Sequence, residues 1–170
     1  MDQIRLQNYR CFEDSGAISL KPITFLLGAN STGKSSFLKF FPLLKQSLSI
    51  KRKGTFLWYS TDVDFKDFKN TVKDEKGSIG IEFSFYLDNR RFNRFYWEED
   101  ETIRGKKVLM DVEIKISGKG QKGNFDYLSE VILSFLGQKI CINVDEDNTT
   151  FIKINGRDVG QDFKTYDINN

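Results

Sequence analysis

The chain has 170 residues, 39% of them hydrophobic and 16 of them Phe, enough for one ordinary domain or a domain carrying an inserted lobe. Its 26 basic residues balance 24 acidic ones, so net charge argues neither for nor against nucleic acid; the absence of histidine excludes a Ser-His triad, a His-dependent nuclease and a His-ligated zinc site within these residues. No apolar run has membrane-spanning length, Met1-Asp2-Gln3 does not open a signal peptide, and Cys11 and Cys141 lack metal or redox spacing; these features predict a cytoplasmic protein with no membrane partner, its cysteines small strand residues.

Ile4–Tyr9 alternates apolar and polar residues, the period of a half-buried strand. Arg10–Gly16 carries turn residues, and Ala17–Leu20 begins a second strand that Pro22 interrupts. Ile23–Leu27, ITFLL, bounded by Pro22 and Gly28, reads as a buried strand. Gly28-Ala29-Asn30-Ser31-Thr32-Gly33-Lys34-Ser35 then fits G-x-x-x-x-G-K-[ST] at every fixed position, and Ser36–Leu44 has the composition of a helix leaving that loop.

Strand, glycine loop and helix together predict a site for the phosphates of a nucleoside triphosphate. Gly28 and Gly33 let successive N–H groups curl around an anion, and the helix start adds unpaired N–H groups and a positive dipole end. Lys34 supplies a mobile positive charge for the terminal phosphates, and the Ser35 hydroxyl completes a magnesium shell.

Pro42 stands inside the helix and predicts a kink or break near Phe40–Phe41, with Leu43–Leu48 as a second helical piece. Lys51-Arg52-Lys53 reads as a solvated helix end more readily than as a nucleic-acid contact. Asp62–Val72 spaces Val63, Phe65, Phe68 and Val72 as one or two helical turns would.

From residue 78 the rhythm changes to alternation. Ile79–Leu87, Arg91–Glu98, Lys107–Ser117, Tyr127–Phe135, Lys139–Val144 and Thr150–Ile154 read as strands of an antiparallel meander. Aromatic residues mixed with Arg90, Arg91 and Arg94 look like a stacking platform for single strands, but a sheet with one aromatic and one charged face accounts for them fully. Ile116–Gln121 looks like the ABC signature LSGGQ, and Asp145-Glu146 like the end of a catalytic strand. Both fit hairpin turns better: glycine and polar residues fill 118–124, and Asp145–Thr149 runs straight into another alternating strand.

Ile4-Arg5-Leu6-Gln7-Asn8-Tyr9-Arg10-Cys11-Phe12, followed by Gly28–Ser36 with Asn30 at the third loop position, resembles the ABC-type ATPase heads of the SMC, RecF and overcoming-lysogenisation-defect (OLD) families. Leu43–Ser47 and Asp64–Phe68 look like continuations in bacterial members linked to phage defence, OLD-like and retron-associated AAA-family ATPases among them. The resemblance is specific over residues 4–48 and loose over 56–87. It implies an α/β P-loop NTPase core over residues 1–55 and an antiparallel β-lobe over 56–170. It implies ATP and Mg2+ as cofactors, with Gly28, Asn30, Ser31, Thr32, Gly33, Lys34, Ser35 and Ser36 around the nucleotide, Lys34 catalytic and Ser35 on the metal. Arg10 would reach the phosphate or ribose side, and Tyr9 or Phe12 would lie near the base.

Heads of this type pair as dimers or higher oligomers and act with nuclease or other effector partners on nucleic acid, plausible partners here by resemblance alone. The chain departs from the family in lacking a switch histidine, a helical signature and an apolar strand ending in Asp-Glu. That departure predicts an incomplete head, the amino-terminal part of a longer ATPase, binding nucleotide with little turnover of its own. A self-contained, non-hydrolysing regulatory or scaffold module is the alternative.

Overall fold

The computed structural model describes residues 1–49, 55–74, 77–88, 107–119, 125–147 and 149–159. Along the chain these form β1 (Gln3–Tyr9), β2 (Phe12–Asp14), β3 (Ile18–Ser19), α1 (Lys34–Leu48), β4 (Ile79–Asp88), β5 (Lys107–Lys119), β6 (Phe125–Phe135), β7 (Gln138–Val144), β8 (Thr150–Ile154) and β9 (Arg157–Asp158). One sheet holds all the described strands in the order β2-β1-β4-β5-β6-β7-β8-β9, with β3 also on β1. Every described pairing is antiparallel. The sheet crosses both sequence segments: β1 from the opening residues lies against β4, with Arg5 opposite Glu82 and Leu6 opposite Ile81.

The alternation of β1 buries Ile4 and Leu6 on the α1 side and turns Arg5 and Gln7 to the other face. Asn8 breaks the pattern. Its left-handed backbone, φ 51, brings Tyr9 into the core in its place. The freed Asn8 amide binds the Asp74 N–H at 2.7 Å and donates to the Asp74 and Ser78 carbonyls, tying the 70s segment to the strand end.

Helix α1 lays Phe37, Phe40, Leu43 and Gln46 on the sheet, three residues apart along one stripe. Tyr9 meets Phe40 and Phe65 edge to face at 5.9 and 6.2 Å, and the aromatic series continues through Phe56, Trp58 and Phe68. Each such ring, fully buried, contributes on the order of 2–3 kcal/mol.

Four expectations are corrected here. Ile23–Leu27 forms no strand: Ile23, Phe25 and Leu27 are 75%, 81% and 90% exposed, and no described strand lies beside them to take their N–H and C=O groups. A turn closed by Thr24 on Lys21 sends the chain away from β3 just before this stretch. Helix α1 continues through Pro42 without a break. Proline frees the carbonyl four residues back, that of Leu38, whose side chain is exposed, so this turn lies on the watered side.

Asp62–Val72 is turns and bridges, with Val63, Phe65, Phe68 and Val72 buried as the spacing suggested. Left-handed Lys66 and the Asp64 and Asp67 carboxylates, which bind the Lys66 and Asn70 amides, hold it out of a helix. Within Arg10–Gly16, read as turn, Phe12–Asp14 pairs as β2.

The meander is present as β4 to β8, and β9 adds a short strand the alternation had not marked. Leu136-Gly137 and Asn155-Gly156 close its tight hairpins with both residues at positive φ. Arg91–Glu98 and Lys51–Lys53 lie outside the described residues.

Candidate functional site

The Gly28–Ser36 loop sits between the exposed Ile23–Leu27 segment and the start of α1. Gly33 is the N-cap of α1 and is left-handed at φ 96. The backbone angle favours glycine, and a Cβ there, 2.6 Å from Phe12 Cζ and 2.7 Å from Cys11 Sγ, would also have to push those side chains aside. Gly28, at φ 154, would place a Cβ 3.2 Å from Thr32 Oγ1. Ser31 turns the loop between them at φ 65.

Two sources of positive potential converge on this loop. No side chain caps the start of α1, and its first turn contains no acidic residue, so nothing on the helix offsets its unpaired N–H groups or dipole. Lys34 Nζ folds back over the loop and donates to the Gly28 carbonyl at 2.7 Å, to the Ala29 carbonyl and to Thr32 Oγ1 at 3.4 Å. Thr32 Oγ1 itself donates to the Ala29 carbonyl at 2.9 Å. Asn30, Ser31, Thr32 and Ser35 are exposed, Ser36 half-buried and Gly33 buried. A donor set of backbone amides, one ammonium and serine hydroxyls, with no carboxylate in the helix's first turn, fits a phosphate chain with a magnesium ion.

Of the other candidate residues, Phe12 reaches this loop, while Tyr9 and Arg10 are held by the rest of the fold. Arg10, left-handed at φ 54, donates through its backbone to the Thr71 carbonyl and through its guanidinium to the Asn70 carbonyl at 2.9 Å. The same guanidinium stacks on Phe65, 4.9 Å from the ring centre, towards the 65–71 segment. Tyr9 is core, and burial pushes its hydroxyl pKa up. Phe12 reaches the loop at Gly33. Cys11, expected in a strand, instead occupies the exposed turn between β1 and β2 and also faces Gly33; no local sequence signal marks a contact between segments so far apart in the chain.

Gln46, unassigned in the sequence, is a structural anchor: its amide donates to the Leu57 and Val63 carbonyls and accepts the Val63 N–H at 3.0 Å. Asp145 and Glu146 lie in the β7–β8 turn, where Asp145 Oδ1 accepts the Asp147 and Thr149 amides. Strand β7 stands four positions from β1 in the sheet, roughly 19 Å away at ordinary strand spacing. Ile116–Lys119 belongs to strand β5 and opens no helix.

Residues 1–166 match the model of the AAA ATPase domain family. The chain belongs to this family. The AAA ATPase domain match supports nucleotide binding. The AAA ATPase domain is also similar to a solved chain described under "Structural biochemistry of ATP-driven dimerization and DNA stimulated activation of SMC ATPases", at 16% identity, over 93% of this chain and 70% of that one, with a TM-score of 0.29. A search of curated proteins finds no match. Among the described residues, no helix is long and apolar enough to cross a membrane.

Proposed function

We propose that this AAA ATPase domain binds ATP with Mg2+ at Gly28–Ser36 and serves, within a larger dimeric ABC-type head, to hydrolyse it. The observation that carries the reading is the convergence of the Lys34 ammonium and the uncapped start of α1 on one glycine loop. Bound there, ATP–Mg2+ would supply the phosphoanhydride whose hydrolysis drives a conformational switch. The first-turn amides and Lys34 would hold and neutralise the phosphate oxygens, Ser35 would donate its hydroxyl oxygen to the metal, and Asn30, Ser31, Thr32 and Ser36 would line the same mouth. Arg10 is a weaker candidate, since it spends one donor on Asn70 and keeps others.

The division into a nucleotide core over residues 1–55 and a β-lobe over 56–170 belongs to this proposal. So does the incompleteness of the head. The apolar edge of Ile23, Phe25 and Leu27 is exposed beside the loop, and the described residues offer no Asp-Glu strand beside it. In the complete protein the head would gate a nuclease or other effector on nucleic acid, in phage defence if the OLD-like resemblance extends to function.

Titration with a fluorescent ATP analogue tests the reading. Binding by residues 1–170 that weakens at least tenfold, about 1.4 kcal/mol, in Lys34→Ala supports it. No binding by the parent, or equal binding by the variant, sinks it. Turnover by residues 1–170 alone, lost in Lys34→Ala, would overturn the incomplete-head part. The alternative, a non-hydrolysing regulatory module, draws on Asp145 being occupied in a hairpin turn. An intact natural mass of 19.8 kDa together with binding and no turnover would favour it.

A further inference from the structure

The phosphate loop touches the rest of the molecule through a contact that no loop motif contains. Gly33 is buried, while Gly28–Thr32 on one side and Ser35 on the other are exposed. What buries Gly33 includes the Phe12 ring tip and the Cys11 sulfur, both so close that a methyl group at that position would have to displace them. Phe12 is half-buried and packs against the core. It pairs opposite Tyr9 across β1 and β2, and Tyr9 is 1% exposed among Phe40 and Phe65.

We propose that Phe12 is a positioning residue of the nucleotide site. It clamps Gly33 in the left-handed conformation from which α1 starts, and so aims the first-turn amides and Lys34 at the phosphates. The proposal rests on the reading of Gly28–Ser36 as an ATP site.

The physical need for such a clamp follows from the composition of the loop. Glycine visits both signs of φ readily, so a helix that starts at an uncapped glycine has no side chain of its own to fix its first turn. An acidic or hydroxyl cap would fix it but would occupy the amides that an anion needs. A hydrocarbon ring pressed on the glycine from outside fixes the angle and leaves every N–H group available. Without the ring, the binding-competent loop becomes one conformer among several. Apparent affinity then falls by the fraction lost, tenfold if one loop in ten remains competent.

The test is MgATP affinity, measured with a fluorescent analogue well below the melting temperature, for the parent chain, Phe12→Ala and Phe12→Leu. The clamp predicts about a tenfold loss in Phe12→Ala and recovery to within about threefold of the parent in Phe12→Leu. A purely structural role would lower the melting temperature and leave the affinity of the folded fraction unchanged, and that result overturns the proposal.

Should Phe12→Ala fail to fold, Cys141→Ser leaves Cys11 as the single thiol beside Gly33. MgATP should then slow maleimide labelling of Cys11 severalfold, and an unchanged rate overturns the proposal equally. A parent chain that binds no MgATP overturns the site reading and the clamp together. A parent that binds while Phe12→Ala binds equally well overturns the clamp alone.

Discussion

Asp14 shows how much a single exposed side chain can organise. Arg5 holds both its carboxylate oxygens, at 2.8 and 2.5 Å, and the Gly16 amide adds a third bond at 2.8 Å. Arg5 hydrogen bonding, with the Gly16 amide behind it, keeps the Asp14 carboxyl well below the usual carboxylate range. A carboxylate whose folded pKa is depressed stabilises the fold fully above its ordinary value, near pH 4, and loses that contribution as pH falls through the folded value. Asp14→Asn should therefore lower the melting temperature slightly at pH 7, by an amount that narrows below about pH 4 and in high salt, because the pair is exposed and screened. A gap that stays constant from pH 7 to pH 2.5 would contradict this. Tyr9 offers the opposite case: its buried hydroxyl has no partner among the described residues. Tyr9→Phe keeps the ring and removes the unpaired group, so urea denaturation should show equal or greater stability, by about 1 kcal/mol.

At the scale of elements, α1 does two jobs with opposite ends. Its start faces the loop with amides uncapped, and near its end Gln46 reaches out of the helix to hold Leu57 and Val63. Gln46→Ala would leave one N–H and two carbonyls without this partner, at a cost of about 3 kcal/mol in chemical denaturation; a loss under 1 kcal/mol would mean that water replaces the amide freely. The meander was legible beforehand because a period of 2 is written in local residue order, and the start of α1 because its composition follows directly on the glycine loop; its run through Pro42 was not. The segment 62–72 misled for a physical reason. Apolar residues three and four apart bury equally well on consecutive turns, and Asp64 and Asp67 choose between turn and helix by binding the nearby amides.

For the molecule as a whole, the informative feature is the exposed segment of Ile23, Phe25 and Leu27, which joins none of the described strands of the antiparallel sheet. Exposed apolar side chains of this kind favour association between molecules. Replacing Phe25 and Leu27 by Ser should reduce light scattering at high concentration while shifting stability by about 0.5 kcal/mol or less. A large loss of stability would show that these side chains already pack within the fold. Residue order by itself determined the glycine loop ahead of α1, because G-x-x-x-x-G-K-[ST] encodes a backbone path and a charge within eight consecutive residues. It also determined the alternating strands. Only the tertiary structure decided that Ile23–Leu27 stays unpaired, that Asn8 turns Tyr9 inward, that Arg10 points to Phe65 and Asn70, and that Phe12 meets Gly33. Each of these depends on what lies across space from a residue, and neighbours in space are set by the whole chain's packing rather than by neighbours in sequence.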